Sequence, residues 1–240
     1  MELCYDGSRY KGWQKQGNTD CTIQGKLESA LSRLLGQEVE VNGSGRTDAG
    51  AHAKMQVASF RAETALAPDE ICDMLRKVLP EDIGVLSIIE AEPCFHARLN
   101  CTGKTYVYRI WNSSFPNVFE RKYMYFLNED LSLDAMKKAA ASLCGRHDFL
   151  AFCANRRMKK SSVREVYDIG IEELGHELRF TFSGSGFLYN MVRIMVGTLL
   201  EVGRGNIPAD SMAEILRSLD RSQAGPTAPA KGLTLWDVKY

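Results

Sequence analysis

VREVYDIGIEELGHELRFTF, residues 163–182, reads as two strands and a turn. Val163–Ile171 and Leu178–Phe182 are rich in the β-branched and aromatic residues that strands favour, and Gly175–His176 supplies the turn between them. Two such strands pair with each other. Upstream, Thr105–Trp111 alternates, with Tyr106, Tyr108 and Ile110 on one face and Thr105, Val107, Arg109 and Trp111 on the other. Downstream, Leu188–Val202 predicts the strongest helix of the chain, and Ser211–Leu219 a last one. Leu133–Leu143 is also helical in spacing. Toward the N-terminus, strands are expected at Glu2–Tyr5, Glu38–Val41, Lys54–Phe60 and Ile83–Ile89. A helix is expected at Thr22–Leu35, with Thr22 or Asp20 as N-cap, and another after Pro68 with Ile71, Leu75 and Leu79 on one face. Strands and helices are mixed without strict βαβ alternation, which favours an α+β fold with a largely antiparallel sheet.

The 240 residues suffice for one large or two small domains. With 45% hydrophobic and 25% charged residues, the composition is that of a soluble globular protein. The longest apolar stretch, Phe187–Val202, is interrupted by Asn190, Arg193, Gly197 and Glu201, so no membrane span is expected. MELCYDGSRYKGW lacks the pattern of a signal peptide, which leaves the cytoplasm as the expected location. Seven cysteines at irregular spacing, none in a CxxC pair, argue against a disulfide framework or a zinc site. Thirty basic residues balance thirty acidic ones, so any nucleic-acid surface has to arise from local clustering.

GSGRTDAG, residues 43–50, sets Arg46, Thr47 and Asp48 among three glycines. Glycine lets a ligand approach the backbone closely. Asp48 is a candidate nucleophile or acid–base group, and Arg46 a candidate for holding a phosphate or stiffening the loop. The plainer reading is a tight turn in which Asp48 bonds its own backbone. A second candidate lies on the long helix. Asn190, Arg193, Gly197, Glu201 and Arg204 form one narrow stripe on an otherwise apolar surface. Arg193 is then expected to sit deep and to need an anionic partner or ligand. A solvated polar stripe is the rival reading, and spacing alone does not separate the two. Tyr106 and Tyr108 share a strand face and are as consistent with sheet cover as with a site. Asn155–Lys160 (NRRMKK), Arg9, Lys11, Arg61 and Arg98 are candidate phosphate contacts in a chain that binds RNA. His147 is read as structural.

GRTDAGAHA (residues 45–53) resembles the signature of the tRNA pseudouridine synthase A (TruA) family. YDGSRYKGWQ (5–14), CTIQGKLESAL (21–31), FHAR (95–98), KTYVYRI (104–110), GRHDFLAF (145–152), GSGFLYNMVRIMVG (184–197) and APAKGLTL (228–235) are similar to further family motifs, in the family's order and almost end to end. The departures are a short N-terminal side of the first strand and Ala51 where valine is commoner. The resemblance implies a pseudouridine synthase fold: two ferredoxin-like halves forming a mixed, largely antiparallel sheet flanked by helices and loops. One half would span 1–99 and carry the GRTDAG loop; the other, 100–240, would carry the tyrosine strand and the NMVR helix. It implies Asp48 as the catalytic nucleophile, Arg193 as its partner, and Tyr106 as the tyrosine that stacks on the target base. It implies a homodimeric enzyme without cofactor or metal, acting on tRNA at uridines 38 to 40 of the anticodon stem-loop. Two rivals are a non-catalytic RNA-binding relative and a carboxylate-dependent hydrolase. The latter ordinarily needs two acidic groups, where this loop offers one.

Overall fold

The computed structural model describes residues 1–155, 158 and 160–240, which form two compact units: residues 1–102 with 234–240, and residues 103–233. The described residues contain ten strands and five α-helices, an α+β fold. Among them, no helix is long and apolar enough to cross a membrane.

In the first unit the strands run β4 (Ile83–Ser87), β1 (Glu2–Tyr5), β3 (His52–Phe60), β10 (Leu233–Lys239), with β2 (Val41–Gly43) also on β3. All these pairs are antiparallel except β3–β10, which is parallel. Two helices pack here. In α1 (Ile23–Leu35) the expected cap forms: the Thr22 hydroxyl accepts from the Gly25 amide, and Gly36 in the left-handed region ends the helix. Ile23, Leu27, Ala30 and Leu31 are its buried face, as the spacing predicts. In α2 (Pro68–Val78) the proline stands at the first turn, and Glu70 accepts from the Ala67 amide. The core lies between these helices and the sheet, with Leu3, Leu27, Leu31 and Leu75 fully buried.

Glu38–Val41 departs from its expected strand. The Val39 amide donates to Ser32 Oγ and the Val41 amide to Glu28 Oε1, so side chains of α1 take the donors that a sheet ladder would use. Pairing therefore starts only at Val41. Residues 234–240, grouped by sequence with the second half, pack within the first unit, where Thr234 and Leu235 pair with His52 and Ala53.

The second unit orders its strands β5 (Gly103–Asn112), β9 (Glu177–Gly184), β8 (Val163–Leu174), β7 (Gly145–Asp148), with β6 (Tyr125–Leu127) parallel to β5. The β8–β9 hairpin opens at Leu174↔Glu177 around the two-residue turn Gly175–His176, with Gly175 at φ +64°. Phe180 and Phe182 of β9 and Tyr108 of β5 are wholly buried. Each such side chain contributes roughly 1.5–3 kcal/mol of burial. Helix α3 (Leu133–Ala141) packs on α4 (Met191–Gly203) and on β8, and α5 (Met212–Ser218) lies nearby. The long helix begins later than its apolar pattern suggests, because Asn190 sits at φ 61°, ψ 7° and cannot continue a right-handed helix backwards.

Candidate active site

Asp48 lies on the loop that leaves β2 at Gly43 and enters β3 at His52. This loop is tied down on both sides. At its start the Ser44 amide donates to the Val57 carbonyl (2.7 Å) and the Ser44 hydroxyl to Gln56 Oε1 (2.6 Å). Gln56 Nε2 in turn donates to the Gly45 carbonyl (3.0 Å). The Thr47 hydroxyl and the Tyr5 phenol share a hydrogen bond of 2.8 Å. Beyond the aspartate, the Gly50 amide donates to the Tyr10 carbonyl and the Ala51 amide to the Asp48 carbonyl.

Residues 5–13 form the wall of this loop. The Trp13 amide donates to the Thr47 carbonyl at 3.1 Å. Gly12 has φ +94°, and a Cβ there would stand 2.7 Å from that same carbonyl oxygen. Only glycine permits the approach. On the other side a Cβ at Gly43 would meet the Trp13 ring at 2.6 Å. The YDGSRYKGWQ and GRTDAG motifs are thus one structural piece. Asp48 itself is half-buried, and Arg46 is exposed. Beside these backbone bonds, the side-chain bonds that fix the loop come from Tyr5, Ser44, Thr47 and Gln56. Burial pushes the Tyr5 phenol up to about 12, with the bonds from Thr47 and Gln56 opposing it, so Tyr5 is neutral at ordinary pH.

In the second unit Tyr106 stands on β5 opposite Phe182. Its ring meets Phe187 edge-on, with centroids 5.3 Å apart and planes at 87°. Tyr108, on the same face, is wholly buried. Its hydroxyl donates to the Pro229 carbonyl at 2.7 Å, and a Cβ on Gly232 would come within 2.7 Å of its ring. Burial pushes its phenol far up against the opposing charge of Arg193. Tyr108 therefore packs and braces.

Arg193 occupies the first turn of α4. Its Nε donates to the Ala228 carbonyl (2.7 Å) and its Nη1 to Asn190 Oδ1 (2.9 Å), while the Ala228 amide returns a bond to the Arg193 carbonyl (3.1 Å). The side chain is half-buried rather than deep, because the turn before the helix leaves that end of the stripe partly open. The rest of the stripe is not a solvated face. Gly197 lies under the strap 225–228, where a Cβ would stand 1.7 Å from the Pro226 carbonyl oxygen. Arg204 is paired with Glu129 and Glu201.

Among the other candidates, Arg9 is already engaged by Asp82 and Arg61 donates to the Pro93 carbonyl. Arg98 and Lys11 are exposed. Of the NRRMKK run, Arg156, Arg157 and Lys159 lie outside the described residues. His147 Nε2 is 2.8 Å from the Cys144 carbonyl oxygen and its ring packs edge-on to Phe149, a bracing arrangement. Sequence reasoning did not single out Tyr5 or Gln56. The available signal was a glutamine in the middle of a strand between apolar residues.

Comparison with known proteins agrees with these motifs. The family profile described as tRNA pseudouridine synthase matches residues 4–100 and 139–240. The chain is 45% identical over 240 residues to "tRNA pseudouridine synthase A 2" of Bacillus cereus, covering 100% of this chain and 98% of the relative. It is 44% identical over 238 residues to "tRNA pseudouridine synthase A" of Brevibacillus brevis, covering 99% and 97%. It is 43% identical over 236 residues to the protein of the same name from Acetivibrio thermocellus, covering 98% and 96%. Matches of this length and identity leave one assignment: the chain belongs to the tRNA pseudouridine synthase family, a family of isomerases.

Proposed function

We propose that the protein converts uridine to pseudouridine at positions 38 to 40 in the anticodon stem-loop of tRNA, with Asp48 as the nucleophile. The observation that carries this reading is the pinned loop. Its one carboxylate follows three residues whose backbone or side chains are bonded to the buried residues Tyr5, Gln56 and Val57. A reacting group held this way loses little freedom on reaching its target.

The isomerisation is redox-neutral. The N1–C1′ bond breaks, the uracil turns while bound, and a C5–C1′ bond forms. The C5 proton leaves and N1 ends protonated, so nothing is added to the nucleotide. The Asp48 carboxylate forms a transient covalent adduct, at C1′ of the ribose or at C6 of the base, which divides one difficult step into two. Tyr106, backed by the edge of Phe187, is the platform for the extruded uracil. Arg193 is the supporting cation, its fork oriented by Asn190 and Ala228. Exclusion of water keeps the free base from being lost by hydrolysis. Arg46, exposed on the loop, contacts the RNA backbone. The motif resemblance supports the stem-loop target and a cytoplasmic homodimer in which one tRNA touches both subunits.

The test is tritium release from C5-labelled uridine in tRNA transcripts. Wild type is expected to release label from a transcript with uridine at 38 to 40 and not from one with cytidine there. Asp48→Ala is expected to lose activity by at least about 1,000-fold, the scale on which a covalent nucleophile acts. A folded wild type that releases no tritium from a full set of tRNAs would leave RNA binding, or another RNA, as the function.

A further inference from the structure

We propose that Gln56 is a positioning residue for Asp48, its amide serving as the fastener that fixes the approach of the reacting carboxylate. This rests on the reading of Asp48 as the nucleophile. Gln56 is fully buried in the middle of β3, followed by the buried Val57 and Ala58. A leucine or methionine there would fill the space without the cost of burying an amide, which is high unless every polar atom is bonded. Here every one is bonded, two of the three bonds to the loop itself and the third to Tyr5 of β1. The Gly45 carbonyl can only accept, so the amide nitrogen must face it, at 3.0 Å. That choice turns Oε1 toward the Ser44 hydroxyl, at 2.6 Å. The second amide proton points to the Tyr5 phenol oxygen, at 3.5 Å.

A chain of bonds results. Gln56 donates to the Tyr5 oxygen, and the Tyr5 and Thr47 hydroxyls share a hydrogen bond of 2.8 Å. One amide thereby governs residues 44 and 45 directly and residue 47 through Tyr5. These residues lead into Asp48. Burial keeps the Tyr5 phenol protonated, so the chain persists at working pH. The strand needs none of these bonds in order to pair, because β3 is held in the sheet by its backbone on β1, β2 and β10. The bonds therefore set the loop.

A residue with this role affects the chemical step more than binding. The experiment is single-turnover tritium release at saturating enzyme for wild type, Gln56→Leu, Gln56→Glu and Asp48→Asn. Melting temperature and tRNA affinity are measured separately, and rates are taken well below each melting temperature. Gln56→Leu is expected to slow the step about 100-fold, the effect of a displacement near 1 Å, with tRNA affinity within about twofold of wild type. Gln56→Glu carries a sharper signature. Ionised, the new carboxylate repels the Gly45 carbonyl; protonated, it donates to it and restores the fastening. Its rate relative to wild type is expected to rise as pH falls from about 8.5 toward 6, because burial raises a carboxyl pKa. A wild-type rate in Gln56→Leu, with only its melting temperature lowered, overturns the proposal. If Gln56→Leu does not fold, a Gln56→Glu profile parallel to wild type overturns it equally. Full activity in Asp48→Asn would instead remove the reading on which the proposal stands, whatever the Gln56 variants do.

Discussion

The loop around Asp48 and the first turn of α4 around Arg193 hold their charged residues by opposite means. The loop has no regular structure of its own. Its order comes from backbone bonds to Tyr10, Trp13 and Val57 and from two side chains on β1 and β3, Tyr5 and Gln56, which are buried, neutral and remote in sequence from one another. The α4 turn is regular from Met191 onward, so helix geometry alone sets the direction of Arg193. Asn190 and the Ala228 carbonyl accept hydrogen bonds from its guanidinium. The carboxylate on the loop has a network behind it, whereas the cation on the helix has a cap and a strap. The first arrangement therefore fails through its buried hydrogen bonds, and the second through whatever displaces the strap.

The largest effect expected from that contrast follows Gly197→Ala. Its Cβ cannot coexist with the Pro226 carbonyl oxygen at 1.7 Å, and that atom is backbone. The strap has to lift, taking with it the Ala228 carbonyl that orients Arg193. A cost of about 3 kcal/mol is expected, at the upper end for overpacking. Urea unfolding measures it, and tritium release should fall more steeply than stability at temperatures where the protein is folded. A Gly197→Ala protein with wild-type stability and rate would show that the strap does not hold Arg193.

Thr198→Val tests the same strap more gently. The Thr198 hydroxyl donates to the Ile194 carbonyl and accepts from the Gly225 amide, both buried. Valine fills the volume but leaves the amide without its acceptor, so a loss of about 1.5 kcal/mol is expected. Because Gly225 precedes the residues that touch Arg193, the rate should change by less than in Gly197→Ala. Equal effects on rate from both substitutions would mean that the strap moves as one rigid piece.

The two regions also differ in how far the sequence disclosed them. Helical periodicity places Arg193 on a polar stripe, but spacing alone does not separate a site residue from a solvated face. The pattern did not show that Asn190 adopts a left-handed backbone and delays the helix. Asp48 stood out through its glycines and the motif resemblance, yet its supports did not. Tyr5 looked like an ordinary strand tyrosine and Gln56 an ordinary polar break, since the contacts that give them meaning span 42 positions for Tyr5–Thr47 and 11 for Gln56–Gly45. The same limit hid β10, whose partner β3 lies far upstream in the chain. The strands β6 and β7 are too short, at three and four residues, to show a period. Local rules succeeded where the order is local: the Thr22 cap, the buried face of α1 and the β8–β9 hairpin.

The smallest effect expected of a substitution is at Tyr5, and its alkaline counterpart asks whether the two regions loosen together. Burial raises the Tyr5 phenol from 10.0 to about 12, and raises Tyr108 further still. A folded-state value above the unfolded one means that the unfolded chain gives up its proton first. The stability each tyrosine contributes is thus fully present below about pH 10. It is lost as pH rises through the folded-state value, by about 1.4 kcal/mol per pH unit for each tyrosine that is ionised only in the unfolded chain. Urea midpoints should be level from pH 8 to about 9.5 and then fall. Tyr5→Phe is expected to lower the unfolding free energy at neutral pH by about 1 kcal/mol for the lost bond to Thr47, and to flatten the alkaline slope. Tyr108→Phe should do likewise through its bond to Pro229. Their effects on catalysis should differ, because the Tyr5 hydroxyl belongs to the chain of bonds behind Asp48 and the Tyr108 hydroxyl braces the segment beyond the Arg193 strap. If Tyr5→Phe slows tritium release at pH 8 and Tyr108→Phe does not, the buried network of the first unit acts in positioning and that tyrosine of the second only in packing.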